Sequence, residues 1–357
     1  MLFGINHAYI LYSECGSRRQ DDMKQKLLAV LSFMAADSSA CRWITLQEDL
    51  LHAPNTVDAY ARGINDWLAF CHSAGLTALT AGPDTVALYV RSLHVGHQLS
   101  ASTLRHRLTI VRLYCDWLCE EGLRKSNPVR RGVWKNGGNG RQGIVPTQRR
   151  LPRIPNNAEW LHFLKVVAKE DIRTRFMLAL AYDCALRREE LCTVATSDID
   201  PARRILTIRA ENTKNRCGRV VPYSLVTSEL YAAWLTERRT LSTSRGPLFL
   251  SRSPRNHAQP ITGWTWSKII RKLALEAGIP CISTHTFRHL CLTELACAGW
   301  DIHEIAAFAG HRRVQSTLLY LHLSAHDLNN RFSSTLASLH TSRLVVLQNG
   351  EYSYDAP

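Results

Sequence analysis

The chain has 357 residues, more than one compact domain usually holds, and its 45% hydrophobic and 21% charged residues are ordinary globular usage, which excludes wholesale disorder and a coiled-coil rod. A formal net charge of +14, carried by nine Lys and thirty-five Arg against thirty acidic residues, favours a polyanionic partner, because nucleic acid releases condensed counterions to a basic surface. Eleven cysteines without a CxxC pair, and the lack of any apolar run long enough to span a bilayer, lead us to expect a soluble cytoplasmic protein with reduced thiols and no membrane partner.

Residues 1–50 carry one predicted helix, KQKLLAVLSFMAAD, in an N-terminal extension whose role the sequence does not assign. From Pro54 a helical stripe of Val57, Ala61, Ile64, Leu68 and Cys71 starts beside Asn55 and stops at Gly75. PDTVALYVRSLH reads as the next helix. A further stripe, Leu104, Leu108, Val111, Cys115 and Leu118, is predicted to open at Ser102 as N-cap and to close before Gly122. Residues 51–130 therefore read as a small all-helical domain with one basic face. With no acidic residue between Asp84 and Asp116, Arg105, Arg107 and Arg112 on that face are expected to contact DNA phosphates.

From Gly122 to Ala158 there are nine Lys or Arg and no acidic residue, with NGGNG and several prolines inside. This composition marks a basic interdomain linker, placed at 131–152. Arg130, Arg131, Lys135 and Arg141 are expected to cross a DNA backbone there. Helical patterns follow in EWLHFLKVVAKE and RFMLALAYDCAL, then short strands RILTIRA and GRVVPYS around a polar turn, then more helices. The second domain, 153–335, thus reads as mainly α with a small antiparallel β-sheet, and 336–357 as a C-terminal tail.

Six residues of this second domain form an ordered set. Arg187 lies in CALRREELCTV, Lys214 in ENTKNRCGR, His285 and Arg288 in THTFRHL, His311 in FAGHRRV and Tyr320 in STLLYLH. His311 follows Arg288 by twenty-three residues, Tyr320 follows His311 by nine, and His322 comes next in YLH. In this order and spacing the chain resembles the tyrosine recombinase, or phage integrase, family over roughly residues 51–335, with NTVDAYARGINDWLAF resembling the opening of that family's core-binding domain.

The resemblance implies a two-domain, C-shaped clamp on double-stranded DNA, built from a helical core-binding domain and a catalytic domain. The function it implies is site-specific DNA recombination, by an integrase or transposase of a bacterial or phage mobile element associated with the nucleoid. Strands would be cut and rejoined through a 3′-phosphotyrosyl intermediate by a homotetramer on two paired sites. It implies Tyr320 as nucleophile, Lys214 as general acid for the 5′ oxygen, His285 assisting proton transfer from the tyrosine, and His311 bonding the scissile phosphate. Glu190 matches a supporting acidic position, whereas Glu189 reads as solvated. No cofactor and no metal are expected.

These residue types suit the chemistry. In-line attack on a phosphodiester builds charge on non-bridging oxygens, and Arg187 and Arg288 supply fixed donors that stay protonated near neutral pH. A phenolate, from a group with an unperturbed pKa of about 10, is a tolerable leaving group, so the step is reversible. Three departures from the family's commonest wording, Ala185 for glycine, Phe287 for leucine and Ala309 for leucine, read as packing changes, and the turn around Lys214 lacks the usual glycine-lysine-glycine. Alternatives are a type IB topoisomerase-like DNA relaxation, a non-catalytic DNA-binding regulator, and a metallohydrolase built on His285 and His289, which stand four residues apart. The last lacks an HExxH glutamate.

Overall fold

The computed structural model describes residues 31–129, 145, 153–213 and 216–323, the side chains of 321–323 excepted. The chain divides into two compact units, Met1–Arg149 and Arg150–Pro357.

The first unit is helical. Its elements are α1 (Ser32–Ala36), α2 (Ser38–Asp49), α3 (Pro54–Ser73), α4 (Pro83–Val95) and α5 (Ala101–Glu120). Each start has a local cause. Asp37 accepts from the amide of Ala40, and proline occupies the first position of α3 and of α4, where a missing N–H costs nothing. The cap of α5 is Ser100, which accepts from Thr103 N, so the cap lies two residues before the expected Ser102. Ser102 sits inside the first turn, its hydroxyl on that of Ser100.

The predicted helix KQKLLAVLSFMAAD ends here as the short α1; its portion before residue 31 lies outside the described residues. Met34, Ala40 and Trp43 belong to the same buried core as Ile64, Trp67, Tyr89 and Tyr114. Residues 31–49, read from the sequence as a separate extension, therefore pack within this unit. Trp43 contacts both Tyr60 and Tyr114, at centroid distances of 5.4 and 5.5 Å.

Gly63 lets α3 and α5 approach closely. A Cβ at this position would lie 2.7 Å from Ile110 Cδ1 and 3.0 Å from its Cγ2. Ile110 is buried and β-branched, with one strongly preferred rotamer in a helix, so it has little room to yield. Gly63→Val is expected to destabilise the protein by about 1–3 kcal/mol through overpacking, measured as a lowered urea midpoint at unchanged slope.

The second unit holds α6 (Asn157–Val167), α7 (Ile172–Asp183), α8 (Arg188–Cys192), β1 (Ile199–Asp200), β2 (Ile205–Ile208), β3 (Arg219–Pro222), α9 (Leu225–Leu241), α10 (Gly263–Glu276), α11 (Thr286–Cys297), α12 (Ile302–Ala309) and α13 (Leu318–Leu323). The strands form one antiparallel sheet in the order β1-β2-β3, with Ile199 opposite Leu206 and Leu206 opposite Val221. Both predicted strands appear, and the two-residue β1 joins them. Period-2 alternation puts Leu206 and Ile208 inward and leaves Thr207 in water.

The core centres on Phe287, whose ring lies 6.0 to 6.4 Å from those of Trp160, Phe163 and Trp266. Phenylalanine at this position is thus a packing change, as the sequence suggested. The architecture is mainly α with a small antiparallel sheet. Among the described residues, no helix is long and apolar enough to cross a membrane.

Candidate active site

The site gathers around the C-terminal end of α12. The last carbonyls of an α-helix lack intrahelical donors and carry the negative end of the helix dipole, so they attract cations. Three arginines from three other parts of the unit meet them. Arg219 Nε donates to the carbonyl of Phe308 at 2.9 Å, Arg288 Nη2 to that of Ala309 at 2.6 Å, and Arg187 Nη2 to that of Gly310 at 3.2 Å. Gly310 closes the helix at φ 62°, a left-handed conformation natural to glycine, and the chain passes directly into His311.

Arg187 stands at the N-cap of α8. Its backbone N–H donates to Glu190 Oε2 at 2.9 Å, and its Nη1 donates to Oε1 at 2.7 Å. The opposite side of the same carboxylate is held by Arg219, through Nη1 to Oε1 at 3.2 Å and Nη2 to Oε2 at 2.8 Å. Glu190 is buried, and burial by itself pushes its pKa up. The Arg219 pairing and the Arg187 bonds outweigh that, holding the carboxyl at about 2. Glu190 is therefore a charged bolt between two guanidiniums. Arg219 was not singled out from the sequence: it lies 29 residues from Glu190, in a strand whose apolar alternation was its visible property. The one available signal was its place just after the lysine turn. Glu189 is exposed and pairs with Arg188 at 2.7 Å, in keeping with a solvated role.

Arg288 lies on α11 and is 4% exposed. Besides its bond to Ala309, its Nη1 donates to the carbonyl of Ala185 at 2.6 Å. Burial and the neighbouring Arg187 and Arg219 lower its pKa to about 10, which leaves it protonated at neutral pH. Ala185 adopts φ 46°. The glycine-to-alanine departure here is thus a backbone matter and not only packing: a residue bearing a Cβ holds a left-handed conformation that costs roughly 1 kcal/mol. The Arg288 bond to its carbonyl helps to hold that conformation.

Tyr320 is 2% exposed. Its ring stands parallel to that of His311, 6.1 Å between centroids at 6°, and tilted against His289 at 5.7 Å and 39°. Its hydroxyl lies 3.1 Å from His289 Nδ1. Burial raises the phenol above its ordinary pKa, and the Arg288 guanidinium beside it pulls in the opposite direction. His311 Nδ1 meets the buried Thr317 hydroxyl at 2.9 Å, and burial followed by Arg288, Arg187 and Arg219 lowers its pKa to about 4. His285 stands at the start of α11, where partial burial and then Arg288, Arg188 and Arg187 lower its pKa. The resemblance gave proton transfer from the tyrosine to His285, whereas in the structure the imidazole that meets the phenol is that of His289.

Arg187, Glu190, Arg288, His311 and Tyr320 are thus brought into one centre, with His285 at its border. Lys214 lies outside the described residues, as do Arg130, Arg131, Lys135 and Arg141. Of the arginines on α5, Arg107 pairs with Asp66 and donates to the carbonyl of Arg62 at 3.3 Å. At 3.6 residues per turn Arg107 points away from Arg105 and Arg112, which share a face. Arg105 is exposed and Arg112 half-buried. Among the described residues, no group of three or more His, Cys, Asp or Glu is placed to hold a metal ion, and His289 Nδ1 is engaged with Tyr320.

Comparison with known proteins agrees with this geometry. Residues 155–327 match the phage integrase family, and residues 42–122 match the phage integrase N-terminal SAM-like domain. The chain is 26% identical over 238 residues to the tyrosine recombinase XerC of Corynebacterium efficiens, covering 65% of this chain and 71% of that protein. It is 24% identical over 294 residues to the tyrosine recombinase XerD of Rhizobium meliloti, covering 77% and 88%. In fold it is similar to the XerH site-specific recombinase bound to a palindromic difH substrate, with a TM-score of 0.61 at 19% identity over 92% of this chain and 94% of that one. It is also similar to the Tn1549 transposon integrase in complex with circular intermediate DNA, with a TM-score of 0.60 at 13% identity over 82% and 94%. With two family regions matched in order and Arg187, Arg288, His311 and Tyr320 assembled in one centre, the chain belongs to the tyrosine recombinase (phage integrase) family and is a site-specific DNA recombination enzyme.

Proposed function

We propose that the protein cuts and rejoins double-stranded DNA through a 3′-phosphotyrosyl link at Tyr320, as the integrase or transposase of a mobile element. The observation that carries this is a phenol hydroxyl beside a buried guanidinium and flanked by two imidazoles whose depressed pKa values keep them neutral at physiological pH. Arg187 and Arg288 retain donors beyond those spent on carbonyls, and these hold the non-bridging oxygens as charge builds there. His311 donates to the scissile phosphate, His285 borders it, and Glu190 with Arg219 fixes the position of Arg187. Lys214 protonates the departing 5′ oxygen. The XerH and Tn1549 integrase structures were determined with DNA, which supports duplex DNA as the partner of this chain. Arg105 and Arg112 on α5, together with Arg130, Arg131, Lys135 and Arg141, contribute backbone contacts, and the working assembly is a homotetramer on two paired sites.

The test begins with duplexes that the protein selects from a random pool. Affinity for them is expected to fall about a hundredfold between 50 and 200 mM salt, the slope for roughly four neutralised phosphates. A nick placed near the cut site lets the released strand end diffuse away, and the trapped protein-DNA adduct is expected to yield a phosphopeptide containing Tyr320. An adduct on another residue, or affinity indifferent to salt, overturns the proposal. Relaxation of supercoiled DNA by a monomer, without exchange between two sites, marks the topoisomerase reading instead.

A further inference from the structure

The hydroxyl of Tyr320 has a partner outside the ordered set of motif residues. We propose that His289 accepts the phenolic proton of Tyr320 as that oxygen attacks phosphorus, which makes it a catalytic residue; this rests on the phosphotyrosyl reading above.

The direction of the hydrogen bond follows from its surroundings. The Arg288 guanidinium beside the phenol has donors only, so it offers no acceptor for the phenolic hydrogen. His289 Nδ1, 3.1 Å away, is the acceptor within reach when its ring carries the proton on Nε2. The distance is within reach for a general base. The other imidazoles are placed differently: His311 Nδ1 is engaged by the Thr317 hydroxyl, and His285 stands at the start of α11 near Arg188.

The base is also held in place. His289 lies inside α11, its amide bonded to the carbonyl of His285 at 3.0 Å and its carbonyl taken by the Thr293 hydroxyl at 2.8 Å. Tyr320 is fixed by α13 through its amide, bonded to the carbonyl of Thr317 at 2.9 Å. Partial burial, then His285 and Arg288, lower the pKa of His289 to about 4, so it is unprotonated and able to accept at neutral pH. The charged or titratable groups that face it are Tyr320 on α13, His311 after α12, and His285 and Arg288 from its own stretch of chain. A phosphodiester bound by Arg187 and Arg288 brings a negative charge that opposes this cationic field and raises the basicity of the imidazole as the phosphate seats.

In the forward step the proton leaves Oη for Nδ1 and the Oη–phosphorus bond forms. The bond from phosphorus to the 5′ oxygen breaks with its electron pair on oxygen, which takes a proton from the general acid assigned above to Lys214. In rejoining, the 5′ hydroxyl returns its proton, attacks phosphorus, and the imidazolium hands its proton back to the departing phenolate. No oxidant, reductant or further reactant is needed.

The test measures adduct formation on the nicked duplex by wild type, His289→Ala and His289→Gln, with DNA affinity and thermal melting recorded for each. Gln retains a hydrogen-bond acceptor for the phenol and removes the base. Both variants are expected to bind DNA as wild type does and to form adduct at least about 100-fold more slowly, the usual contribution of a general base. Added imidazole is expected to restore part of the rate in His289→Ala, in proportion to its unprotonated fraction. A wild-type rate in either variant overturns the proposal. So does a loss confined to His289→Ala that imidazole does not restore, because that pattern marks positioning alone. If wild type itself forms no adduct at Tyr320, the phosphotyrosyl reading fails, and that failure is visible before any variant is compared.

Discussion

In Tyr320→Phe the covalent protein-DNA adduct is expected to vanish while DNA affinity stays within about twofold of wild type. The substitution removes one oxygen from a side chain that is 2% exposed and leaves its ring packing against His289 and His311 in place. Its structural cost is the hydrogen bond to His289 Nδ1, worth about 1 kcal/mol, so the fold persists. The chemical cost is total, because no other atom at that position can join to phosphorus. Gel-shift affinity and denaturing-gel detection of the adduct on a nicked duplex read the two effects separately. An adduct formed by this variant would show that another residue is the nucleophile.

Glu190→Ala is expected to produce the largest loss of stability together with a severe loss of activity. The carboxylate joins Arg187 and Arg219, and removing it leaves two guanidiniums in a largely buried site without their counter-charge. Breaking such a pair costs roughly 3–5 kcal/mol. Rate should fall by about 100 to 1000-fold as well, because Arg187 loses the partner that aims it at the phosphate. Glu190→Gln separates the two effects: it keeps most of the shape and one acceptor, and is expected to be folded but slow. Urea titration and adduct kinetics measure each.

The same carboxylate predicts an acid limit. Its folded pKa of about 2 lies below the usual carboxylate value of about 4.3, so the unfolded chain binds the proton more readily in that interval. The stability it contributes, about 3 kcal/mol, is fully present above the unfolded pKa and is lost as pH falls through the folded one. Stability of wild type should therefore decline between about pH 4.3 and 2 more steeply than that of Glu190→Gln, once the variant's lower starting point is subtracted. Equal slopes would mean that folding leaves the Glu190 carboxyl at its unfolded pKa.

The three arginines at the end of α12 are held in place by the fold itself. Each spends part of its fork on a backbone carbonyl, so its position follows the helix end and not solvent. Because His311 follows that end immediately, one local structure sets the positions of the guanidiniums and of an imidazole together. Preorganised donors need no rearrangement as charge develops on the phosphate.

Much of this was legible in the amino-acid order. Apolar spacing revealed α3, α4 and α5, and two of the strands, since burying one face imposes a period of about 3.6 or 2 residues whatever the neighbours are. The order and spacing of Arg187, His285, Arg288, His311 and Tyr320 identified the chemistry through their resemblance to the tyrosine recombinase family, whose side chains suit phosphoryl transfer. What the tertiary structure alone decided concerns partners without a sequence signature. Backbone carbonyls are the same at every residue, so nothing in FAGH discloses that each of three successive carbonyls takes a different arginine. Arg219 looked like a strand residue until β3 brought it to Glu190. His285 and His289 are one helical turn apart, and the family's spacing pointed to His285. The docking of α13 against α11 places the phenol 3.1 Å from His289, a contact that depends on distances no single segment contains.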